Sequence, residues 1–161
     1  MIAGPDGSPY ANGCFFFVIN LPSTYPRIAP KVQFLTTGGG RIRFNPNLYN
    51  CGEVCLSLPG TWQGPDWISG ESTSLQVRRY NANIWPHTID AAIKSHLSST
   101  QKNNNTYPEF EGGMVKHFLE KRSLIEKELL EDSRLMSQVQ SVLELFERLS
   151  TREKEVRGGR S

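Results

Sequence analysis

The chain has 161 residues, enough for one domain with an apolar core. Its 18 basic and 16 acidic residues leave a net charge of +2, too balanced to imply a nucleic-acid or anionic-membrane partner. No apolar run approaches the ~20 residues of a membrane span, and the N-terminus lacks a signal-peptide pattern, so a cytoplasmic or nuclear setting with reduced thiols is expected.

Residues 1–13 are rich in turn formers, with Gly4-Pro5-Asp6-Gly7-Ser8-Pro9 at their centre. Cys14 to Leu21 is aromatic and β-branched and predicts a buried strand. Pro22, Pro26 and Pro30 then punctuate a loop. Lys31 to Thr36 alternates polar residues with Val32 and Phe34, which predicts a second strand with one wet face. Gly38-Gly39-Gly40 ends it, and Arg41 to Phe44 reads as a short extended piece. Asn45-Pro46-Asn47 is turn chemistry, because Asn bonds its own backbone and Pro fixes φ; Asn50 and Gly52 make a second turn. A short apolar run, Val54 to Leu58, leads into a loop over 59–73 that holds Trp62 and Trp67.

The remainder is helical in character. Ile84 to Leu97 predicts a short helix with Ile89, Ala92, Ile93 and Leu97 on one face and Pro86 in its first turn. Gln101 to Thr106 is a polar linker. From Val115 to Arg157 there is neither Pro nor Gly, and helix formers dominate. Leu135, Val139, Val142, Phe146 and Leu149 form a stripe suited to packing against the domain, too short for a coiled coil. Arg152 to Arg160 mixes its arginines with Glu153 and Glu155 and reads as a solvated tail. Strands precede helices, which predicts an α+β fold with an antiparallel sheet. The expected organisation is a core over 1–130 and a C-terminal helix extension and tail over 131–161.

The cysteines are Cys14, Cys51 and Cys55. A zinc site needs about four ligands, and His87, His96 and His117 are scattered away from Cys51 and Cys55, so no metal site is expected. Taken alone, Cys55 between Val54 and Leu56 reads as a core residue. No His or Lys lies near it in sequence, so a Cys–His hydrolase is unsupported, although a distant His stays open.

The surroundings of Cys55 alter that reading. The string Arg43-Phe44-Asn45-Pro46-Asn47-Leu48-Tyr49-Asn50-Cys51-Gly52-Glu53-Val54-Cys55-Leu56-Ser57-Leu58 resembles the active-site segment of ubiquitin-conjugating enzymes. In that family a His-Pro-Asn turn precedes the catalytic cysteine by eight residues, counted from its Asn, and Asn47 to Cys55 has that spacing. Asn45 stands where the family usually has His. Asn-Pro-Asn followed by Leu-Tyr, with Gly60-Thr61-Trp62 after the cysteine, is similar to the subgroup of large hybrid conjugating enzyme–ligases, the Apollon-like (BRUCE-like) proteins and their plant and fungal relatives. Gly4 to Gly13, Tyr25-Pro26-Arg27-Ile28-Ala29-Pro30 and Ser74-Leu75-Gln76-Val77 resemble further segments of that subgroup, and the match covers residues 3–77.

The resemblance implies acyl transfer without a cofactor. Cys55 would take ubiquitin or a related modifier as a thioester from an activating enzyme and hand it to a substrate lysine, with a ligase as a further partner. Asn47 would donate to the oxyanion or hold the loop, Pro46 would rigidify the turn, and Asn45 and Tyr49 would support the segment. Arg27, Ile28 and Trp67 would lie where ligases and the activating enzyme dock. An unrelated α+β binding module with a core Cys55 is argued against only by the linked motifs.

The resemblance breaks after Val77, where Arg78-Arg79-Tyr80-Asn81 replaces the family's apolar helix. Tyr80 to Leu97 and Pro108 to Leu130 resemble what the subgroup carries further along. The family's first helix and most of its first strand would fall before Met1. These departures predict a core truncated at its N-terminus and internally, with the sheet face behind Phe15, Phe17 and Phe34 partly uncovered, and weak activity. A catalytically impaired chain acting as a ubiquitin-pathway scaffold is the alternative. In a competing arrangement the C-terminal helices cover that face with Phe118, Ile125 and Leu129.

Overall fold

The computed structural model describes residues 1–25, 27, 28, 30–55, 84–101 and 108–158. Four short strands are arranged in two antiparallel pairs. β1 (Ile2–Ala3) pairs with β2 (Cys14–Phe15), and β3 (Phe17–Asn20) pairs with β4 (Lys31–Phe34). Residues 84–87 open a helix, α1, that continues as a π-helical stretch, Thr88–Lys94, and an α-helical stretch, Ser95–Gln101. Two long helices follow, α2 (Glu111–Glu131) and α3 (Met136–Gly158). The α+β class expected from the element order is what the chain adopts.

β2 and β3 are one run of chain interrupted at Phe16. There the amide leaves the ladder to donate to Thr36 Oγ1 at 2.9 Å, while the Phe16 carbonyl accepts from the Leu35 amide at 2.9 Å. Neighbouring rings on this run face opposite sides, as successive strand residues do. Phe16 joins Cys14, Ile89, Ile93, Leu97, Met114, Phe118, Ile125, Leu129 and the α3 stripe in one apolar cluster. Phe15 joins Phe34, Ile42, Phe44, Ile84, Ala91 and Ala92 in a second. Beyond Phe16 the strand leaves the core, and Ile19 is 61% exposed. The expectation of a strand buried as far as Leu21 is therefore corrected: only its first three residues have packing on both faces.

The predicted uncovering of the sheet face is also corrected. Phe15 and Phe34 are 6% and 1% exposed. α1 covers them through Ile84, Ala91 and Ala92, and only Phe17 is left half-buried. Phe118, Ile125 and Leu129 do point inward, but on the other side, beside Cys14 and Phe16, so they do not cover the Phe15 face as the competing arrangement had it. Arg41 to Phe44 forms no strand. The suspected break between Val77 and Arg78 lies outside the described residues.

The long helical region splits where the sequence shows no Pro or Gly. Asp132 adopts an extended backbone (φ −99°, ψ 100°), and its carboxylate accepts from the Arg134 amide at 3.0 Å. An Asp that satisfies a free amide starts a new helix and so competes with continuing the old one. The two helices fold back on each other. Arg122 on α2 bonds Glu126 at 2.7 Å, Ser150 at 3.0 Å, and Glu147 on α3. The stripe Leu135, Val139, Val142, Phe146, Leu149 is buried along its whole length, so packing against the domain is its role here.

Three helix side chains bond the backbone of the N-terminal segment. Thr88 Oγ1 donates to Pro9 O at 2.8 Å, His96 Nε2 to Cys14 O at 3.0 Å, and His117 Nε2 to Asn12 O at 3.1 Å. A carbonyl can only accept, so both imidazoles carry their proton on Nε2. Burial holds the pKa of His96 below its ordinary value of 6.5, because the charged ring loses its water. The neutral ring is thus the folded form, and the unfolded chain takes up the proton first as pH falls. The stability His96 supports is complete above pH 6.5 and is lost as pH drops below it. Urea unfolding from pH 8 to 5 is expected to show this decline in the parent and a shallower one in His96→Gln. Equal slopes would show that another group carries the acid sensitivity.

Candidate active site

The segment 44–55 is anchored at its start by aromatic packing. Phe44 is fully buried and meets Phe15 and Phe34 edge-on, at ring separations of 5.2 Å and 5.9 Å. Tyr10, itself edge-on to Phe15 at 5.9 Å, donates its hydroxyl to the Phe44 carbonyl at 2.8 Å. The same hydroxyl lies 3.4 Å from Asn45 Nδ2. A turn between β1 and β2 therefore fixes where the segment begins.

Asn45 then shapes the turn. Its side-chain oxygen accepts from the Asn47 amide at 2.9 Å, and its carbonyl accepts from the Leu48 amide at 2.9 Å. This is the Asx geometry that Asn-Pro-Asn favours. Arg43 closes the outside. It donates to the Pro46 carbonyl at 2.6 Å and lays its guanidinium over the Tyr49 ring at 4.2 Å, a cation–π contact. Asn45, Pro46 and Tyr49 all act in the segment's own architecture.

The chain next reverses through Tyr49–Glu53. Tyr49 accepts from the Gly52 amide and donates to the Glu53 carbonyl, both at 2.9 Å. Gly52 has φ +91°, and a Cβ on it would sit 2.7 Å from the Phe34 carbonyl. Only glycine fits that conformation and that approach. The Gly52 carbonyl accepts from the Phe34 amide at 2.8 Å, and Glu53 bridges Gln33. The segment thus runs beside β4 as a further, partial strand.

The reversal brings Cys55 back to Asn47. The Cys55 amide donates to the Asn47 carbonyl at 2.9 Å, and Leu48 bridges Val54 beside them. The eight-residue spacing is therefore a closed hairpin. Cys55 is 8% exposed, while Asn47 faces solvent. Among the described residues none hydrogen-bonds the Asn47 carboxamide, which leaves its N–H groups available to a reacting oxygen. The other thiols differ. Cys14 is fully buried, and desolvation pushes its pKa up to about 12, so it does not supply a thiolate near neutral pH. Cys51 is exposed in the turn.

Arg27 and Ile28 are both exposed, Ile28 at 58%. Trp67 lies outside the described residues. Tyr10 and Arg43 were not singled out from the sequence, and Gly52 was read as a turn residue without its approach to Phe34. Their roles depend on partners 34, 6 and 18 positions away, and the only local signal was the Pro-Tyr dipeptide in the first turn. Among the described residues no cluster of His, Cys, Asp and Glu is arranged to hold a metal ion.

The ubiquitin-conjugating enzyme family model matches residues 1–107. A probable ubiquitin-conjugating enzyme of Caenorhabditis elegans is 61% identical over 64 residues, covering 40% of this chain and 9% of that protein. A putative ubiquitin-conjugating enzyme of Arabidopsis thaliana is 52% identical over 80 residues, covering 48% of this chain and 24% of the relative. The human dual E2 ubiquitin-conjugating enzyme/E3 ubiquitin-protein ligase BIRC6 is also 52% identical over 80 residues, again 48% of this chain but 2% of that protein. The chain thus spans less than a quarter of the length of each of these relatives.

Tyr10→Phe keeps the ring contacts and removes the hydroxyl that holds Phe44 and Asn45. A loss of about 1–2 kcal/mol is expected in urea unfolding, the scale of one or two partly buried hydrogen bonds. Unchanged stability would show that aromatic packing alone positions the segment.

Proposed function

The chain belongs to the ubiquitin-conjugating enzyme family, and from that premise we propose that Cys55 accepts ubiquitin, or a related modifier, as a thioester from an activating enzyme and passes it to a substrate lysine. The observation that carries the reading is the 2.9 Å hydrogen bond between the Cys55 amide and the Asn47 carbonyl. It supports the reading because it joins the backbone of Cys55 to that of Asn47, whose carboxamide has no partner among the described residues. A ligase is a further partner, with Arg27 and Ile28 on the docking surface, and the free thiols Cys14, Cys51 and Cys55 suit a cytoplasmic or nuclear setting.

Two displacements make up the cycle. The Cys55 thiolate adds to the carbonyl of the incoming thioester, and the tetrahedral intermediate collapses by expelling the activating enzyme's thiolate. The lysine amine then adds to the new thioester, loses a proton to solvent or a nearby base, and expels the Cys55 thiolate as the isopeptide bond forms. In the second step the carbonyl oxygen of the Cys55 thioester carries negative charge transiently. An amide N–H aimed at that oxygen is stronger in the transition state than in the ground state, which is what accelerates a reaction.

Cys55 is tested by charging with activating enzyme, ubiquitin and ATP. The parent is expected to give a conjugate that thiol reductant removes, and Cys55→Ser a reductant-stable ester or none. Charging that survives in Cys55→Ala and disappears in Cys51→Ala would move the acceptor to Cys51.

Asn47 is tested by discharge to free lysine from chain already loaded. Asn47→Ala is expected to load normally and discharge about 10²–10³-fold more slowly, the usual cost of one oxyanion donor. Discharge at the parental rate would leave Asn47 as a turn residue only.

A further inference from the structure

Between the Gly38–Arg41 loop and α1 lies a cavity of about 670 Å³ that the reaction proposed above does not use. One wall is Leu35, Thr36, Gly38, Gly39 and Arg41. The other is the outward face of α1, with Asp90, Lys94, Ser95, His96, Ser98 and Ser99. Its rim residues Gly39, Arg41, Asp90 and Ser95 are exposed, so the cavity opens to solvent.

The charges in it are only partly compensated. Arg41 Nε donates to the Gly38 carbonyl at 2.8 Å, which fixes the guanidinium against the loop and leaves its terminal nitrogens without a described acceptor. Lys94 has no carboxylate within 4.0 Å among the described residues, even though Asp90 sits one helical turn before it. Two cations therefore face one carboxylate. His96 adds no charge near neutral pH, because burial disfavours its protonated form and its Nε2 is committed to Cys14 O. The loop backbone is bare as well. Gly38, Gly39 and Gly40 all have positive φ (59°, 69° and 81°), and no heavy atom lies within 4 Å of where a Cβ on Gly39 would sit. Among the described residues, nothing accepts from the Gly38 and Gly39 amides.

A guanidinium on one wall, an ammonium on the other, the Ser95 and Ser98 hydroxyls and unengaged glycine amides in the loop call for a dianion with several acceptor oxygens; Ser99 already donates to the His96 carbonyl at 2.9 Å. A phosphate monoester offers three such oxygens and two negative charges, where a carboxylate offers two oxygens and one charge. We propose that this cavity binds the phosphoryl group of a phosphorylated serine or threonine on a protein partner, with Arg41 and Lys94 as its principal contacts. The loop that forms it is wired to the candidate active site. Asn50 Nδ2 donates to the Gly40 carbonyl at 2.8 Å, and Arg41 leads through Phe44 directly into Asn45. A phosphorylated partner held there would lie against the segment that carries Asn47 and Cys55.

The test is calorimetric titration of the full chain with a phosphoserine peptide, its unphosphorylated twin and inorganic phosphate. The phosphopeptide is expected to bind at least tenfold more tightly than its twin and to weaken as salt rises. Arg41→Gln and Lys94→Gln are each expected to weaken it roughly tenfold, and Asp90→Asn to strengthen it by removing the opposing charge. The gain in Asp90→Asn is an outcome that misfolding does not produce. Equal affinity for the two peptides, or phosphopeptide binding indifferent to both Lys94→Gln and Asp90→Asn, would overturn the proposal. Inorganic phosphate binding as tightly as the phosphopeptide would overturn its protein-borne source and make free phosphate the ligand.

Discussion

The backbone of residues 9–16 is gripped from two sides, and both the helical layer and the reactive segment take their positions from it. From one side Thr88, His96 and His117 donate to the carbonyls of Pro9, Cys14 and Asn12. From the other, Tyr10 reaches across to the Phe44 carbonyl. A buried carbonyl without a donor costs on the order of 1–3 kcal/mol, so these donors are obligatory wherever the sheet is too small to supply ladder partners. Here β1 and β2 pair over only two residues each, and side chains do what strands do in a larger sheet. Asn12 shows the constraint sharply. It holds φ at +63° while almost fully buried, and its amide donates to Glu128 on α2 at 3.0 Å.

Phe15 and Phe16 convert that grip into a core. Adjacent residues on a strand face opposite ways, so a chain covered on both faces buries both rings. Phe16 enters the cluster built by α1, α2 and α3, and Phe15 enters the one that includes Phe44. Burying an aromatic side chain contributes about 1.5–3 kcal/mol, a sizeable share of the 5–15 kcal/mol that holds a typical domain together. The π-helical stretch of α1 sits between the clusters. Ile89 and Ile93 face one, while Ala91 and Ala92 face the other. The small alanines permit close approach to the Phe15 side, where Gly13 leaves no room for a Cβ between Thr88 and Ala92.

The reactive segment inherits its geometry from this core. Phe44 is its fixed end, β4 is its flank through the Gly52–Phe34 hydrogen bond, and the Asn45 side chain closes the turn. Asn47 is exposed, and its backbone carbonyl accepts from the Cys55 amide. Rigid support behind a short exposed turn is the arrangement that an oxyanion donor needs, because a donor positioned in advance costs nothing to reorganise during reaction.

Local chemistry in the sequence determined the turn at Asn45-Pro46-Asn47, the alternating strand Lys31–Phe34, the inward positions Ile89, Ile93 and Leu97 and the stripe from Leu135 to Leu149, whereas Ala92, expected on the same face as Ile89, turns to the other cluster. Each depends on neighbours within a turn or two, and periodicity reports such contacts directly. The eight-residue interval from Asn47 to Cys55 was likewise legible, and with it the resemblance on which the proposal for Cys55 rests. The tertiary structure alone decided which sheet face would be covered and which distant groups hold the site. Phe15 and Phe34 read as exposed because their cover comes from α1, some fifty to seventy-seven positions later in the chain. Asp132 read as an ordinary helical residue because neither Pro nor Gly marks the break, although its carboxylate accepts from the Arg134 amide only two positions on. Tyr10 read as a turn residue because its acceptor is 34 positions away. Periodicity and spacing encode contacts along the chain, whereas a hydrogen bond between distant residues exists only after packing has brought donor and acceptor together.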